Sequence, residues 1–315
     1  MQQSQPRGNQ SQGGDNRGDN RGDNRNQQRG GRSGGGNRPS GNRGGSQQRR
    51  PFRPPSSIAN EIVNYSSRRL NNLPMLVILL LAVLGGGLLA IAGVFAVKLA
   101  TGAEGLIWQQ FALALGFATG FFLVLGSNSV MFTEANVVVP ANLYNTTLVK
   151  GFLTLFIFWL LAWIGNYAGV VFVVSLLKSA GVSLTDNAAV LTELVEKNIT
   201  LSTNSGVISL VVSGILANWV MGITTMYCGY QRAAFSKISV LFLAVCIILF
   251  THLQFFPINM VLLGLTSLAH DPLVSWWPYV INNLIPVSIG NLIGGAFLVA
   301  LPLAMQTVRK VQRSA

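Results

Sequence analysis

Six long apolar runs constrain the fold of this chain more than any other feature. They lie near residues 73–99, 106–131, 149–178, 206–228, 238–267 and 278–305. Each has the roughly 20 residues that an α-helix needs to cross the hydrocarbon core of a bilayer. Inside lipid every backbone hydrogen bond must be satisfied within the protein, and a helix does this by itself. The runs therefore predict an all-α integral membrane protein with six transmembrane helices.

The composition changes abruptly before the first run. Residues 1–55 contain eleven Arg and three Asp, so +8 of the net charge of +12 lies there. Three tandem copies of Gly-Asp-Asn-Arg occupy 14–25, and few side chains can be buried, which predicts a disordered cytoplasmic tail. We predict a short juxtamembrane segment at 56–72, a six-helix domain at 73–307 and a basic C-terminus at 308–315.

The basic residues outside the tail predict the orientation. With the N-terminus in the cytoplasm, the outer side holds only Lys98, Lys178 and Lys197. The cytoplasmic side holds Arg68, Arg69, Lys150, Arg232, Lys237, Arg309, Lys310 and Arg313. This asymmetry follows the positive-inside rule. Both termini are therefore expected in the cytoplasm, in a multi-pass protein of the cell (inner) membrane.

An internal repeat relates the third and sixth runs. The pattern Ile-Gly-Asn-x-x-Gly-x-x-Phe-x-Val occurs at 164–174 and again at 289–299. Three spans per half is an odd number, so the halves are predicted to be inverted three-helix repeats, as in many transporters. The glycines predict close helix packing. Asn166 and Asn291 either bond backbone carbonyls of neighbouring helices or line a pore.

Two polar stretches interrupt the second and fifth runs, at 126–136 and 251–260. Adding 125 to Thr133 gives Ile258, so the interruptions are repeat-related. Pro257 cannot donate a helical hydrogen bond and should kink or break span five. Irregular backbone at membrane depth needs protein or a water-filled cavity around it, so both breaks predict one shared pathway. His252 within span five either belongs to that pathway or satisfies a carbonyl.

Three motifs together resemble the formate/nitrite transporter family. They are Phe-Thr at 132–133, Gly-Ile-Leu-Ala-Asn-Trp at 214–219 and Leu-Ile-Pro-Val-Ser-Ile-Gly-Asn at 284–291. The resemblance covers about residues 73–305. It implies an aquaporin-like fold, a homopentamer with a separate pore in each protomer, and small monovalent anions or their acids, such as formate or nitrite, as substrates.

The resemblance also suggests which residues line the path, and where this chain departs from the family. The family's central histidine falls on Phe255 and the preceding Glu on Gln254, while His252 lies three residues earlier. We therefore treat His252 as a candidate replacement. The other candidates are the hydrophobic gates Phe132 and Phe255, the polar contacts Thr133, Asn218, Gln254 and Asn259, and the vestibule lysine Lys197.

Other functions remain open from the sequence. The Arg-Gly-rich tail could bind RNA or anionic lipid heads, with the membrane domain as a tether. A neutral-solute channel of the same fold is a second alternative, although the paired Asn-Pro-Ala motifs of such channels are missing. Enzymatic activity is the least expected function, because no cluster of carboxylates, His or Cys accompanies the spans. We expect no cofactor or metal site, and a packing role for Cys228 and Cys246.

Overall fold

The computed structural model describes residues 69–70, 72–138, 148–204, 206–231, 233–269, 275–303 and 305. The predicted tail, most of the juxtamembrane segment and the basic C-terminus lie outside these residues. Within the described ranges the chain is helical apart from short connections, and it contains no β-strand. The all-α prediction is confirmed for this part of the chain.

Nine helices follow one another along the described segments. The first half contains α1 (Met75–Thr101), α2 (Leu106–Gly126), α3 (Phe132–Val138) and α4 (Leu148–Ser179). The helix α5 (Ala188–Asn204) lies in the connection between the halves. The second half contains α6 (Gly206–Tyr230), α7 (Ala234–Phe250), α8 (Phe256–Leu265) and α9 (Trp276–Leu303). Two segments of α9, Val280–Leu284 and Gly294–Ala300, are π-helical.

The predicted spans correspond closely to these helices. Among the described residues, α1, α2, α4, α6 and α9 are each long and apolar enough to cross a membrane. The fifth predicted span is divided into the shorter apolar helices α7 and α8. The second contains α2 and the break that follows it, and α3 begins directly after its predicted end. The predicted interruptions of spans two and five are therefore both present.

Closely packed helix pairs form the centre of each half. The most extensive pairings join α1 to α4 and α6 to α9. A side chain at Gly169 would meet the backbone of Val83 on α1, and one at Gly294 would meet the backbone of Ile215 on α6. The motif glycines therefore let the helix backbones touch, which confirms their predicted packing role.

The short helices α3 and α8 extend from the breaks toward opposite faces of the bundle. A Cβ atom built on Gly222 of α6 would lie 2.8 Å from Val137 Cγ2 of α3. This contact is near the face where α6 ends and α1 begins, which we call the termini face. A Cβ atom on Gly264 of α8 would lie 2.5 Å from Val170 Cγ1, nearer the end of α4 at Ser179. The second half-helix therefore points toward the other face.

Candidate functional site

The first break, at residues 127–131, begins with a backbone motif that ends α2. Asn128 has a left-handed φ of +54°. The amide of Ser129 donates a hydrogen bond to the carbonyl of Val124 at 3.3 Å, and the amide of Asn128 donates to Leu125 at 3.3 Å. These two bonds are those of a Schellman motif, which satisfies the last carbonyls of a helix. Asparagine tolerates the left-handed conformation better than most residues, so Asn128 favours the end of α2 here.

The second break, at residues 251–255, repeats this geometry. His252, 124 residues after Asn128, also has a φ of +54°. The amide of Leu253 donates to the carbonyl of Ile248 at 2.9 Å. Pro257 lies in the first turn of α8, where a missing N–H costs little. The repeat offset of 125 was measured on spans three and six, and it is wrong by one residue at the breaks. There the offset is 124, so Thr133 corresponds to Pro257.

Asn166 holds the first break in place. Its side-chain Oδ1 accepts a hydrogen bond from the backbone amide of Phe132, the first residue of α3, at 2.9 Å. Its Nδ2 donates to the carbonyl of Ala82 on α1 and to that of Val130 in the break, both at 2.8 Å. One fully buried amide thus joins α1, α4 and the start of α3.

Asn291 makes the matching contacts at the second break. Its Oδ1 accepts from the backbone amide of Phe256, the first residue of α8, at 3.0 Å. Its Nδ2 donates to the carbonyl of Gly214 on α6 at 2.9 Å. Both asparagines bond carbonyls of neighbouring helices, which confirms the structural interpretation of the repeated Asn.

Aromatic side chains bring the two breaks together. The rings of Phe132 and Phe256, which begin α3 and α8, are edge-to-face with centroids 5.3 Å apart. Trp163 stacks on Phe256 at 5.6 Å. The indole Nε1 of Trp163 donates to Ser288 Oγ at 2.9 Å, and these two residues are 125 apart in the sequence. Repeat-related positions of the two halves therefore touch one another at the centre of the bundle.

A small cavity of about 50 Å³ lies beside the second break. A cavity needs about 10–15 Å³ to hold one water molecule, so this one is large enough to be hydrated. Its polar lining consists of Gln110, His252, Gln254 and Asn259. Its apolar lining consists of Leu113, Leu194, Ile248, Leu249, Leu253, Ile258 and Leu262.

Three buried amides form a cluster at the wall of this cavity. Asn259 Nδ2 donates to Gln254 Oε1 and to Asn283 Oδ1, both at 2.8 Å. The backbone amide of Gln254 donates to Ser213 Oγ on α6 at 2.8 Å. Asn283 lies in the first π-helical segment of α9, a local widening of the helix that is frequent at functional sites. The cluster therefore fixes polar side chains at the depth of the break.

A buried cation contacts the first break. Arg69 is buried, and its Nη2 donates to the carbonyl of Asn128 at 2.9 Å and to Asn128 Oδ1 at 2.7 Å. From the sequence, Arg69 was expected only as one of the basic residues on the cytoplasmic side, and its contact with Asn128 was not predicted. A contact between residues 59 apart leaves no local pattern. The amide cluster was also missed, although the adjacent Asn282 and Asn283 in an apolar span could have indicated it.

The predicted pathway residues separate into two groups. His252, Gln254 and Asn259 share the cavity at the second break. Phe132 and Thr133 begin α3 at the first break, where Asn218 Nδ2 approaches the carbonyl of Thr133 at 3.4 Å. The remaining two lie elsewhere: Phe255 is fully buried with its ring 5.8 Å from that of Phe121, and Lys197 lies on α5. Phe255 is not among the residues that line the cavity.

These features define a class of protein. The chain has long apolar helices, two spans that are broken at the same depth, and a cavity with polar lining residues at one of the breaks. This combination is typical of a multi-pass membrane protein of the channel and transporter type. The sequence profile of the formate/nitrite transporter family matches residues 56–305. The chain belongs to this family.

Individual relatives agree with that assignment. A formate-nitrite transporter of Entamoeba histolytica is 36% identical over 96 residues, which are 29% of this chain. The matched stretch spans about a quarter of that relative's length, 26%. Two solved structures are similar in fold at 18% identity. An FNT family ion channel has a TM-score of 0.66, covering 80% of this chain and 98% of its own. A pentameric formate channel with formate bound has a TM-score of 0.58, covering 74% and 98%.

Proposed function

We propose that this chain conducts small monovalent anions or their undissociated acids across the membrane, with formate and nitrite as the first candidates. The observation that carries the proposal is the cavity at the second break, where His252, Gln254 and Asn259, with Gln110, form the polar part of a mostly apolar lining. Family membership and the likeness to a formate channel support the choice of substrate.

The cavity offers what a small anion needs on leaving water. Desolvating a charge in an apolar medium is costly unless other polar groups replace its water shell. Gln254 supplies a side-chain amide that is already held in place, because its Oε1 accepts from Asn259 Nδ2 and its backbone amide donates to Ser213 Oγ. Asn259 Nδ2 also donates to Asn283 Oδ1, so Asn259 orients Gln254 and little ordering is needed on binding. In addition, α8 begins at this break, so the positive end of its dipole faces the break and favours negative charge.

His252 is the proposed proton source for this path. An imidazole can exchange a proton near neutral pH, and protonating a carboxylate or nitrite removes the charge that makes the crossing costly. His252 lines the same cavity as Gln254, while Phe255, at the family's histidine position, is packed in the core. Phe132 and Phe255 are the proposed apolar gates, Thr133 and Asn218 the polar contacts at the first break, and Lys197 the proposed vestibule cation.

Assembly and orientation complete the proposal. We propose a homopentamer with one pore in each protomer, because a similar solved structure is a pentameric formate channel. Large apolar side chains are exposed along the helices of the isolated protomer, including Leu80, Phe95, Phe156, Leu176 and Phe297. Neighbouring protomers and lipid would cover them. Both termini are proposed to face the cytoplasm from the inner membrane, as the basic residues predict.

Flux measurements in proteoliposomes test the function. The purified protein should pass formate or nitrite faster than empty liposomes do, with lactate, hydrosulfide and glycerol as comparison solutes. Gln254→Leu should lower anion flux about tenfold, which corresponds to about 1.4 kcal/mol in the barrier. Thr224→Val is the matched control, because this buried hydroxyl donates to the carbonyl of Val220 in its own helix, at 2.9 Å, and does not line the cavity. Permeation of glycerol without any anion flux would instead identify a neutral-solute channel.

A further inference from the structure

Two buried amides on the termini side of the breaks have side-chain atoms without a hydrogen-bond partner among the described residues. Asn136 of α3 is fully buried, and within the described residues neither its Nδ2 nor its Oδ1 has a partner. Asn218 of α6 is also fully buried, and its Oδ1 has no partner in the same part of the chain. Buried polar atoms are nearly always hydrogen-bonded, to protein or to an ordered small molecule. Orphaned atoms on two neighbouring helices therefore indicate a missing third participant.

A glycine lets α9 pack closely against both of these side chains. A Cβ atom built on Gly295, in the second π-helical segment of α9, would lie 2.7 Å from Asn218 Nδ2 and 3.0 Å from Asn136 Cβ. Both distances are shorter than ordinary van der Waals contact, so any larger residue at position 295 would press against both asparagines. The three residues belong to three different helices, α3, α6 and α9, which meet at this point.

The orientation of the Asn218 amide follows from its partners. Its Nδ2 lies 2.6 Å from the carbonyl oxygen of Asn291 and 3.4 Å from that of Thr133. Because both partners are acceptors, the nitrogen must face them, and the orphaned Oδ1 can only accept a hydrogen bond. Asn136 offers two N–H donors and one further acceptor. A ligand that satisfies both residues must therefore donate at least one hydrogen bond and accept another.

This requirement discriminates between protonation states. A bare formate or nitrite anion has no O–H or N–H group to donate, so its oxygens and the Asn218 Oδ1 would repel each other. Water both donates and accepts, and so does an undissociated carboxylic or nitrous acid. The chemistry shared by these ligands is a small neutral molecule with an O–H group.

We infer that Asn136 and Asn218 form a second polar binding site on the transport path, which takes a neutral O–H molecule rather than the bare anion. The inference rests on the proposed function, whose first polar site is the cavity at the second break. Asn136 lies about one helical turn beyond Phe132 in α3, as Asn259 lies about one turn beyond Phe256 in α8. The two sites thus lie on either side of the paired rings of Phe132 and Phe256.

The test combines a density map with flux for the full-length protein. In a cryo-EM map that resolves waters elsewhere in the protein, wild type should show a peak within hydrogen-bond distance of Asn218 Oδ1 and Asn136. The peak should vanish in Asn136→Leu, which is similar in size but has no polar atom. A peak present without formate assigns the site to water, and one that appears only with formate at acid pH assigns it to the undissociated acid.

Flux provides the second measurement. Formate flux per folded protein should fall about tenfold in Asn136→Leu. Gly295→Ala should lower it too, because the added methyl group presses against both asparagines without removing an amide. Thr224→Val should keep wild-type flux. Wild-type flux in Asn136→Leu, or the absence of a peak in the wild-type map, overturns the inference. If wild type passes none of the five solutes, the proposed function fails, and a peak at this site still supports a bound O–H molecule.

Discussion

Asn128 and His252 hold equivalent positions at the two breaks, with the same left-handed φ of +54° and the same pair of backbone hydrogen bonds. Their side chains differ in surroundings. Asn128 Oδ1 accepts a hydrogen bond from the buried guanidinium of Arg69, whereas His252 lines the cavity beside Gln254. The backbone thus requires a residue tolerant of this conformation at both positions, and only the second presents its side chain to the proposed path.

This relationship determines how His252 should be tested. We expect His252→Asn to flatten the pH dependence of formate flux, because it removes the proposed proton source and keeps a residue that tolerates a positive φ. His252→Ala is a poorer test, since alanine in this conformation adds backbone strain of about 1 kcal/mol or more. Flux per folded oligomer is measured between pH 5 and 8. If His252→Asn retains the wild-type pH profile, His252 has no part in proton transfer.

The repeated asparagines should affect folding more than selectivity. Asn166→Leu removes three hydrogen bonds and Asn291→Leu removes two, each leaving buried backbone groups unpaired at a break. At about 1–3 kcal/mol for each group left unsatisfied, both variants should lose oligomer, Asn166→Leu more than Asn291→Leu. Melting curves and size-exclusion chromatography measure this loss. A fully assembled variant with altered anion preference would contradict it and assign the residue to the pore.

The helices could be located from the sequence, because the length of an apolar run depends only on neighbouring residues. Both breaks could be located as well, since Pro257 and the polar stretch after Gly126 interrupt otherwise continuous runs. The partners of Asn166 and Asn291 were predictable as carbonyls in general, because an amide in lipid has few alternatives. Which carbonyls they contact depends on how α1 packs on α4 and α6 on α9, and no spacing in the sequence encodes that.

The candidate site was less predictable than the fold. The family register aligns Phe255 with the central histidine, but the contact of its ring with Phe121 depends on how α2 packs beside the second break, which the sequence does not show. The contacts of Arg69 and the orphaned amide of Asn136 arise from helices that meet only in the folded chain. A buried polar atom without a partner is a property of packing, so the sequence could identify Asn136 as polar but not as unsatisfied.

The N-terminal tail should be dispensable for folding and transport. Deleting residues 1–55 leaves the family-matched region, 56–305, complete. We therefore expect the truncated protein to form the same oligomer and to pass formate at the wild-type rate per protein. Size-exclusion chromatography and liposome flux measure both properties. Loss of the oligomer on truncation would show that the tail takes part in assembly.

The close contact between α1 and α4 makes a final, sharper prediction. Gly86 of α1 faces the backbone carbonyl of Asn166, and a Cβ atom there would collide with it. The position on α6 that corresponds to Gly86 is Asn218, 132 residues later in the sequence. There the side-chain Nδ2 donates to the backbone carbonyl of Asn291, the counterpart of Asn166, at 2.6 Å. Gly86→Ala must therefore push α1 away from α4 and disturb the residue that holds the first break.

Overpacking of this kind should destabilise the protein by about 1–3 kcal/mol, while formate flux per surviving oligomer falls because the break shifts. Gly229→Ala is the matched control: Gly229 is also helical, and a Cβ atom there would meet nothing within 4 Å. This control should be neutral or more stable by up to about 1 kcal/mol, since alanine favours helix over glycine. Thermal unfolding of the two variants side by side measures the difference. Equal melting temperatures would contradict the close contact between the backbones of α1 and α4 at Gly86.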